Sequence, residues 1–140
     1  MRIAIVAPSP VPFVVGGAEN LWMGLLTHFN QCENVQAELI KVPIREDNLY
    51  QLAKAYLAFL ELNLSHFDMI LSTKYPALLT QHDNHHVYLQ HKLRGLYDTY
   101  PSQMSITIDN LPPGLESVQS NIIKPASTNA TVRAVLTDII

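Results

Sequence analysis

The sequence is poor in cysteine and in charged residues, and it contains no long hydrophobic run. Cys32 is the single cysteine among 140 residues, so no disulfide can form within the chain. Charged residues make up 15% of the chain, its net charge is −3, and Lys and Arg form no cluster. Nucleic acid is therefore not an expected partner, because its phosphates are bound through many basic contacts. No apolar stretch reaches the ~18 residues of a membrane-spanning helix, which predicts no transmembrane segment.

The N-terminus lacks the features of a secretory signal. Arg2 is followed by only a short apolar run, and no small-residue cleavage site comes after it. With 48% hydrophobic residues, the chain nevertheless has enough apolar material for a core. These observations predict one globular domain located in the cytoplasm.

The motifs that mark several common active sites are also missing. The Gly16-Gly17 pair is followed neither by the Lys-Ser/Thr of a P-loop nor by the further glycines of a dinucleotide fingerprint. No Gly-x-Ser-x-Gly motif supports a serine nucleophile. The histidine cluster of residues 82–86 matches no zinc-binding spacing, and His85 and His86, as neighbours on a strand, would point to opposite faces. A metal site is therefore not expected.

What is present is an alternation of strand and helix patterns. Short apolar runs predict strands at residues 2–7, 35–43, 67–76 and 85–91, and helical spacing of apolar residues predicts helices at 18–29 and 49–60. Asn48 is the predicted N-cap of the second helix. This order predicts an α/β fold with a Rossmann-like parallel sheet and helices on both faces. We expect the first strand at the centre of the sheet, with the first helix packed on it through Leu21, Leu25 and Phe29.

The pattern weakens after about residue 100. A short strand at 105–108, a Pro-Pro-Gly turn at 112–114 and a terminal helix at 130–140 are the elements predicted there. We therefore assign residues 1–100 to the Rossmann-like core. Residues 101–140 are expected to be a divergent or truncated segment packed on the same domain.

The topology predicts where a ligand would bind. Ligands of open parallel sheets bind beyond the carboxyl ends of the strands, where the loops after the first and third strands and the end of the fourth should meet. A glycine-led helix start offers free backbone N–H groups to an anion or a hydroxyl-rich ligand. A histidine at a strand end can bind a substrate hydroxyl. The candidate site residues are Gly16, Gly17, Lys74, Tyr75, His91 and Arg94.

Most of these candidates have a structural alternative. The glycines can simply form a strand-to-helix turn, with Glu19 complementing the helix dipole. Lys74 can be a solvated loop residue, Tyr75 can pack its ring before a proline, and His91 can be a core histidine. The residue types alone leave these alternatives open.

Two segments carry a family resemblance. "MRIAIVAPSPVPFVVGGAENLWMGLLTHF" and "FDMILSTKYPALLTQHDNHHVYLQHKLRGLYD" resemble, in this order, the N-terminal, acceptor-side domain of retaining GT-B fold glycosyltransferases (glycosyltransferase group 1, family 4-like). The second segment is the more specific, because it combines the Ser-Thr-Lys-Tyr-Pro loop, a strand ending in His91, and Arg94 followed by Tyr97 and Asp98. The resemblance covers roughly the first 100 residues.

The resemblance implies transfer of a hexose, with retention, from a nucleotide-diphospho-sugar to an acceptor. It implies that Gly16 and Gly17 contact the donor phosphates and the acceptor, and that His91 lies beside the transferred sugar as the catalytic candidate. It implies no metal ion and no cofactor other than the donor substrate.

The same resemblance also shows what this chain lacks. GT-B enzymes carry a second domain with the Arg/Lys pair that neutralises the diphosphate and the glutamates that bind the ribose and the sugar, and no such segment is present here. The chain is therefore expected to be inactive alone and to need a C-terminal GT-B half or a homo-oligomeric partner. Two alternatives remain: a stand-alone interaction or regulatory module that docks on a separate catalytic subunit, and a flavodoxin-like nucleotide binder.

Overall fold

The fold is built around its first strand. The computed structural model describes residues 1–9 and 15–90, together with residues 133, 134 and 137. Strand β1 (Arg2–Ser9) is buried along its whole length after Arg2, because apolar side chains alternate onto both of its faces. It pairs in parallel with β2 (Gln36–Pro43) on one side and with β3 (Met69–Ser72) on the other. Strand β4 (His85–Val87) pairs in parallel with β3, so the order is β2-β1-β3-β4.

Two helices connect these strands. Helix α1 (Gly17–Gln31) follows β1, and helix α2 (Leu49–Leu60) follows β2. Asn48 caps α2 as predicted, since its Oδ1 accepts a hydrogen bond of 2.9 Å from the backbone N–H of Gln51. A short 3-10 turn over Ala77–Leu79 comes between β3 and β4.

The helices cover opposite faces of the sheet, because successive side chains of β1 point to opposite sides. On the α2 face, Ala4 and Val6 pack with residues of α2, including Phe59, in a cluster of nine buried residues. On the α1 face, Ile5 and Ala7 pack with Trp22 in a cluster of three. The α/β fold with a Rossmann-like parallel sheet and helices on both faces is thereby confirmed.

The contact of α1 with the sheet differs in one residue from the prediction. Leu25 and Phe29 are half-buried and pack against the cluster as expected, but its centre is the fully buried Trp22. Leu21 is half-buried and is not among the residues packed there. Leu21 lies at the edge of the apolar stripe formed by Ala18, Trp22, Leu25, Leu26 and Phe29, which explains why it is not part of the cluster.

The described helices are all too short or too polar to cross a membrane. The predicted elements beyond residue 100, and the assignment of residues 101–140 to the same domain, lie outside the residues described above.

Candidate functional site

The candidate site lies where the order of strands reverses. The chain passes from β1 through α1 to β2 on one side, and then through α2 to β3 on the other side of β1. The carboxyl ends of β1 and β3 therefore diverge at a topological switch point, which is the usual ligand position in open parallel sheets. We call this region the switch crevice: the carboxyl ends of β1 and β3 together with the first turn of α1.

The first turn of α1 presents backbone N–H groups to the crevice. Gly16 is the N-cap residue and has no side chain to satisfy them, so no side-chain cap is formed. The first intrahelical hydrogen bond runs from Asn20 N–H to Gly16 O, at 3.0 Å. The N–H groups of the residues between them are therefore free of intrahelical partners and carry the positive end of the helix dipole.

The two glycines have different surroundings. The Gly16 N–H donates to Oε2 of Glu19 at 3.0 Å, and a Cβ placed on Gly16 would lie only 3.1 Å from the same oxygen. Gly16 thus leaves just enough room for the Glu19 carboxylate, which accepts from the N–H of the N-cap residue itself. A Cβ on Gly17 would meet no described atom within 4 Å, so no described neighbour requires a glycine there.

Lys74 and Tyr75 follow β3 at the edge of the crevice. Tyr75 is only 9% exposed, and its hydroxyl donates to Oε2 of Glu46 at 3.1 Å. Its phenol is therefore engaged with the segment between β2 and α2. Lys74 is half-buried, with Nζ 5.7 Å from the centre of the Tyr75 ring. Burial, and to a smaller extent the Glu46 carboxylate, raise the pKa of Tyr56 above 10.0. Glu46 therefore lies close to the phenol rings of both Tyr56 and Tyr75.

His91 and Arg94 lie outside the described residues, so the structure describes four of the six predicted site residues: Gly16 and Gly17 at the start of α1, and Lys74 and Tyr75 after β3. The last described position before them is Gln90. The Gln90 N–H donates to the Thr73 carbonyl oxygen at 3.0 Å. Two residues earlier, the Tyr88 N–H donates to the Ser72 carbonyl oxygen at 2.8 Å. These bonds extend the contact between β3 and the β4 segment to the rim of the crevice.

Sequence reasoning missed a group of buried polar atoms. Ser9 Oγ, Thr73 Oγ1 and Trp22 Nε1 have no hydrogen-bond partner among the described residues, although Ser9 is only 3% exposed and the other two residues are fully buried. Gln90 Oε1 is a fourth such atom, on a half-buried residue. A hydroxyl residue at or just after the end of a buried strand is a sequence feature that could have identified Ser9 and Thr73. Trp22 gave none, because it belongs to the apolar stripe of α1.

A second polar group, on the α2 face, is fully engaged. Ser72 Oγ and His85 Nε2 are 2.7 Å apart. Burial lowers the pKa of His85 below 6.5, as do His82 and His86 to a smaller extent, while a hydrogen bond to the backbone of Thr80 acts in the opposite direction. Within residues 1–9 and 15–90 and the three C-terminal positions described, no group of three or more His, Cys, Asp or Glu residues is placed to hold a metal ion.

A cavity of about 490 Å³ lies at the opposite, amino edge of the sheet. Its lining includes Glu61 and Arg133, which form an ion pair of 2.6 Å with each other. These charges are thus already paired, and the amino edge is not where parallel sheets bind ligands. The switch crevice is therefore the stronger candidate.

Comparison with known proteins adds no relative: the chain matches no family model, no curated protein and no solved structure. The sequence motifs and the geometry of the switch crevice are therefore the features that bear on function.

Proposed function

We propose that this chain is the N-terminal, acceptor-side domain of a retaining, metal-independent GT-B glycosyltransferase that uses a nucleotide-diphospho-sugar. The motifs in residues 1–29 and 67–98 suggest the family. The observation that carries the proposal is the glycine-led start of α1, which has no side-chain cap and stands over the topological switch point. Free N–H groups at such a position suit a phosphate or a sugar hydroxyl.

The charges of the described crevice indicate a division of labour between this domain and another. Lys74, after β3, contributes one positive charge. Glu19, in the first turn of α1, contributes one negative charge. These two charges offset each other, whereas a leaving diphosphate needs strong positive stabilisation in the transition state. The proposed enzyme therefore takes its diphosphate-binding cations from a second domain. The isolated chain is expected to bind ligand weakly and to show no measurable sugar transfer.

A pair of glycine variants tests the role of the α1 N-terminus. Gly17→Ala adds a methyl group at the first residue of α1, next to the free N–H groups, and Gly24→Ala adds the same group further along the helix; neither methyl would meet a described atom within 4 Å. Neither change should destabilise the helix, because alanine is the better helix former. Binding of UDP-glucose and GDP-mannose, measured by NMR titration of the labelled chain, should weaken about tenfold in Gly17→Ala, a loss of ~1.4 kcal/mol.

The matched variant Gly24→Ala should bind like the unmodified chain. Equal binding by Gly17→Ala and Gly24→Ala would remove the α1 N-terminus from the proposed site. Robust turnover by the purified 140-residue chain would overturn the proposal that it is half of an enzyme.

His91 is the proposed catalytic residue, and its test needs the reassembled enzyme. His91→Ala should lower turnover by roughly tenfold or more, since one hydrogen bond made in the transition state is worth ~1.4 kcal/mol. The melting temperature should hardly change if the imidazole serves the substrate. A fall of many degrees in melting temperature with an unchanged rate per folded molecule would instead identify a core histidine.

A further inference from the structure

A groove lies between helix α2 and the segment that leads into this helix from β2. Its volume is about 330 Å³, at the low end of the range for small-molecule pockets. The described residues that line it are Pro43, Ile44, Arg45, Gln51, Lys54, Ala55 and Ala58. None of them belongs to the switch crevice, so the groove is a separate candidate site. We call it the α2 groove.

The helix side of the α2 groove is a single stripe of α2. Its four residues have the spacing i, i+3, i+4 and i+7, which places them on one face of the helix: Gln51, Lys54, Ala55 and Ala58. Two of the four are alanines, and a methyl group fills little of the space between the helix and the segment after β2. Ala55 and Ile44 are both buried and give the groove an apolar floor. The small side chains of α2 therefore account for the open space.

The charged groups that line the α2 groove are cations. Arg45 binds Asp47 Oδ2 through Nε at 2.7 Å, which leaves its two terminal nitrogens without a described partner. Lys54 Nζ lies 4.3 Å from the centre of the Tyr50 ring and forms no ion pair within the described residues. Glu46 and Asp47, the acidic residues next to Arg45, are not among the described lining residues. The groove therefore offers an anion donors that the described chain does not use.

We propose that the α2 groove binds a small organic carboxylate with an apolar body, such as an aromatic or branched-chain acid. The Arg45 guanidinium presents paired N–H donors that match the two oxygens of a carboxylate. Lys54 adds a second positive charge, and the apolar floor removes the hydrocarbon part of the ligand from water. The volume suits a ligand smaller than a nucleotide sugar, so this site goes beyond the proposed function and does not rest on it.

Four compounds separate the effect of charge from that of apolar contact. Benzoate and 4-methylpentanoate have both a carboxylate and an apolar body, benzyl alcohol has the body without the charge, and inorganic phosphate has the charge without the body. We expect both carboxylates to shift the backbone amide signals of residues 44–45 and 51–58 in a saturable manner, in proton–nitrogen NMR spectra of the labelled chain. Benzyl alcohol and phosphate should bind about tenfold more weakly or less.

The two control compounds also define how the proposal fails. Phosphate that binds as tightly as benzoate would show a patch that recognises charge alone. Benzyl alcohol that binds as tightly as benzoate would show a patch that recognises apolar surface alone. Either result would overturn a carboxylate site.

A pair of charge variants tests the role of Arg45. Arg45→Gln removes the paired donors at an exposed position, so the melting temperature should hardly change, while carboxylate binding should weaken about tenfold. Lys41→Gln is the matched control. It removes a positive charge from the other face of β2, because its neighbours Ile40 and Val42 pack on the α2 face. It should leave binding unchanged, and equal weakening by both variants would reveal only a general effect of charge.

A pair of leucine variants tests the open space. Ala58 is exposed and leucine is a good helix former, so Ala58→Leu should keep the melting temperature of the unmodified chain. Its larger side chain occupies the α2 groove and should weaken binding of both carboxylates about tenfold or more. Thr27→Leu places the same side chain at an exposed position of α1 and should leave binding unchanged. Unchanged binding in Ala58→Leu would overturn the site.

The location of the shifted signals separates this inference from the proposed function. If benzoate shifts the amide signals of Gly17 and Lys74 instead of those at the α2 groove, the anion binds at the switch crevice and the α2 groove is wrong. If benzoate binds and Arg45→Gln weakens it, but no nucleotide sugar binds, the α2 groove stands and the proposed function is wrong. No saturable shift with either carboxylate overturns the α2 groove and leaves the proposed function as it is.

Discussion

The two faces of the sheet are built differently. On the α2 face, nine buried residues form a continuous cluster, and the polar atoms of Ser72 and Tyr75 have partners in His85 and Glu46. On the α1 face, three buried residues form the cluster, and around it Trp22 Nε1 and Ser9 Oγ have no partner within the described chain. One face thus has the larger apolar core and two hydrogen-bonded polar side chains, and the other has a smaller core with two unpartnered polar atoms, whereas Thr80 Oγ1, after the 3-10 turn, is unpartnered as well.

This difference indicates which face contributes more to the stability of the fold. Burial of apolar surface is the main favourable term in folding, and most of it lies on the α2 face. Unpartnered buried atoms are destabilising, and Ser9 Oγ and Trp22 Nε1 are two of them on the α1 face.

The largest expected effect is a contrast between two core truncations. Phe59→Ala on the α2 face removes a fully buried ring and should lower the free energy of unfolding by about 3–5 kcal/mol. Leu25→Ala on the α1 face removes a half-buried side chain and should cost no more than about 2 kcal/mol. Urea unfolding of both variants measures the difference. Equal costs would show that the α1 face is as well packed as the α2 face.

A smaller effect concerns the polar attachment of α1 to the sheet. Asn30 donates through Nδ2 to the Ala37 carbonyl at 3.0 Å and accepts from the Ala37 N–H at 2.9 Å, so it joins α1 to β2 by two hydrogen bonds. Asn30→Ala should cost about 1–2 kcal/mol of unfolding free energy.

Asn20→Ala is the control for Asn30→Ala, because Asn20 is exposed on the same helix and the change in helix propensity is similar. Equal unfolding free energies of Asn20→Ala and Asn30→Ala would mean that apolar packing alone holds α1 on the sheet.

The smallest expected effect is the pH dependence of the α2 face. Burial holds the pKa of His85 below 6.5 in the folded chain, so the unfolded chain takes up the proton at a higher pH. Stability rises with pH wherever the unfolded state binds more protons. This contribution is therefore fully present above pH 6.5 and is lost as the pH falls below that value.

Unfolding free energies measured on both sides of pH 6.5 test this prediction. His85→Gln should reduce their difference, and His28→Gln, which removes an exposed imidazole from α1, is the control for loss of a histidine. An undiminished pH dependence in His85→Gln would show that burial of His85 is not its source.

Much of the fold was predictable because it depends on local patterns. The apolar run of β1 and the Asn48 cap of α2 are both encoded within a few residues, and both are confirmed. The boundaries were less certain: β1 extends two residues further than predicted, to Ser9, and β4 ends at Val87. Strand ends depend on which neighbouring backbone groups are available for pairing, which the local pattern does not contain.

The candidate site was predictable only in its position. Parallel topology places it at the carboxyl edge of the sheet, and the sequence therefore predicted Gly16, Gly17, Lys74 and Tyr75. The difference between the two glycines was not predictable, because it depends on where the Glu19 carboxylate lies. The engagement of the Tyr75 hydroxyl with Glu46, 29 residues away in the chain, was not predictable either.

The sequence by itself determined the order of strands and helices in this protein, and hence the parallel sheet, because periodicity and caps act between near neighbours along the chain. The tertiary structure alone decided which buried polar atoms found partners. Ser9 and Ser72 are both serines at the end of an apolar strand, and nothing in their local sequence distinguishes them. His85 lies beside Ser72, and no described residue bonds Ser9. Hydrogen bonds across the sheet depend on the register and distance of segments far apart in the chain, and only the folded chain specifies both.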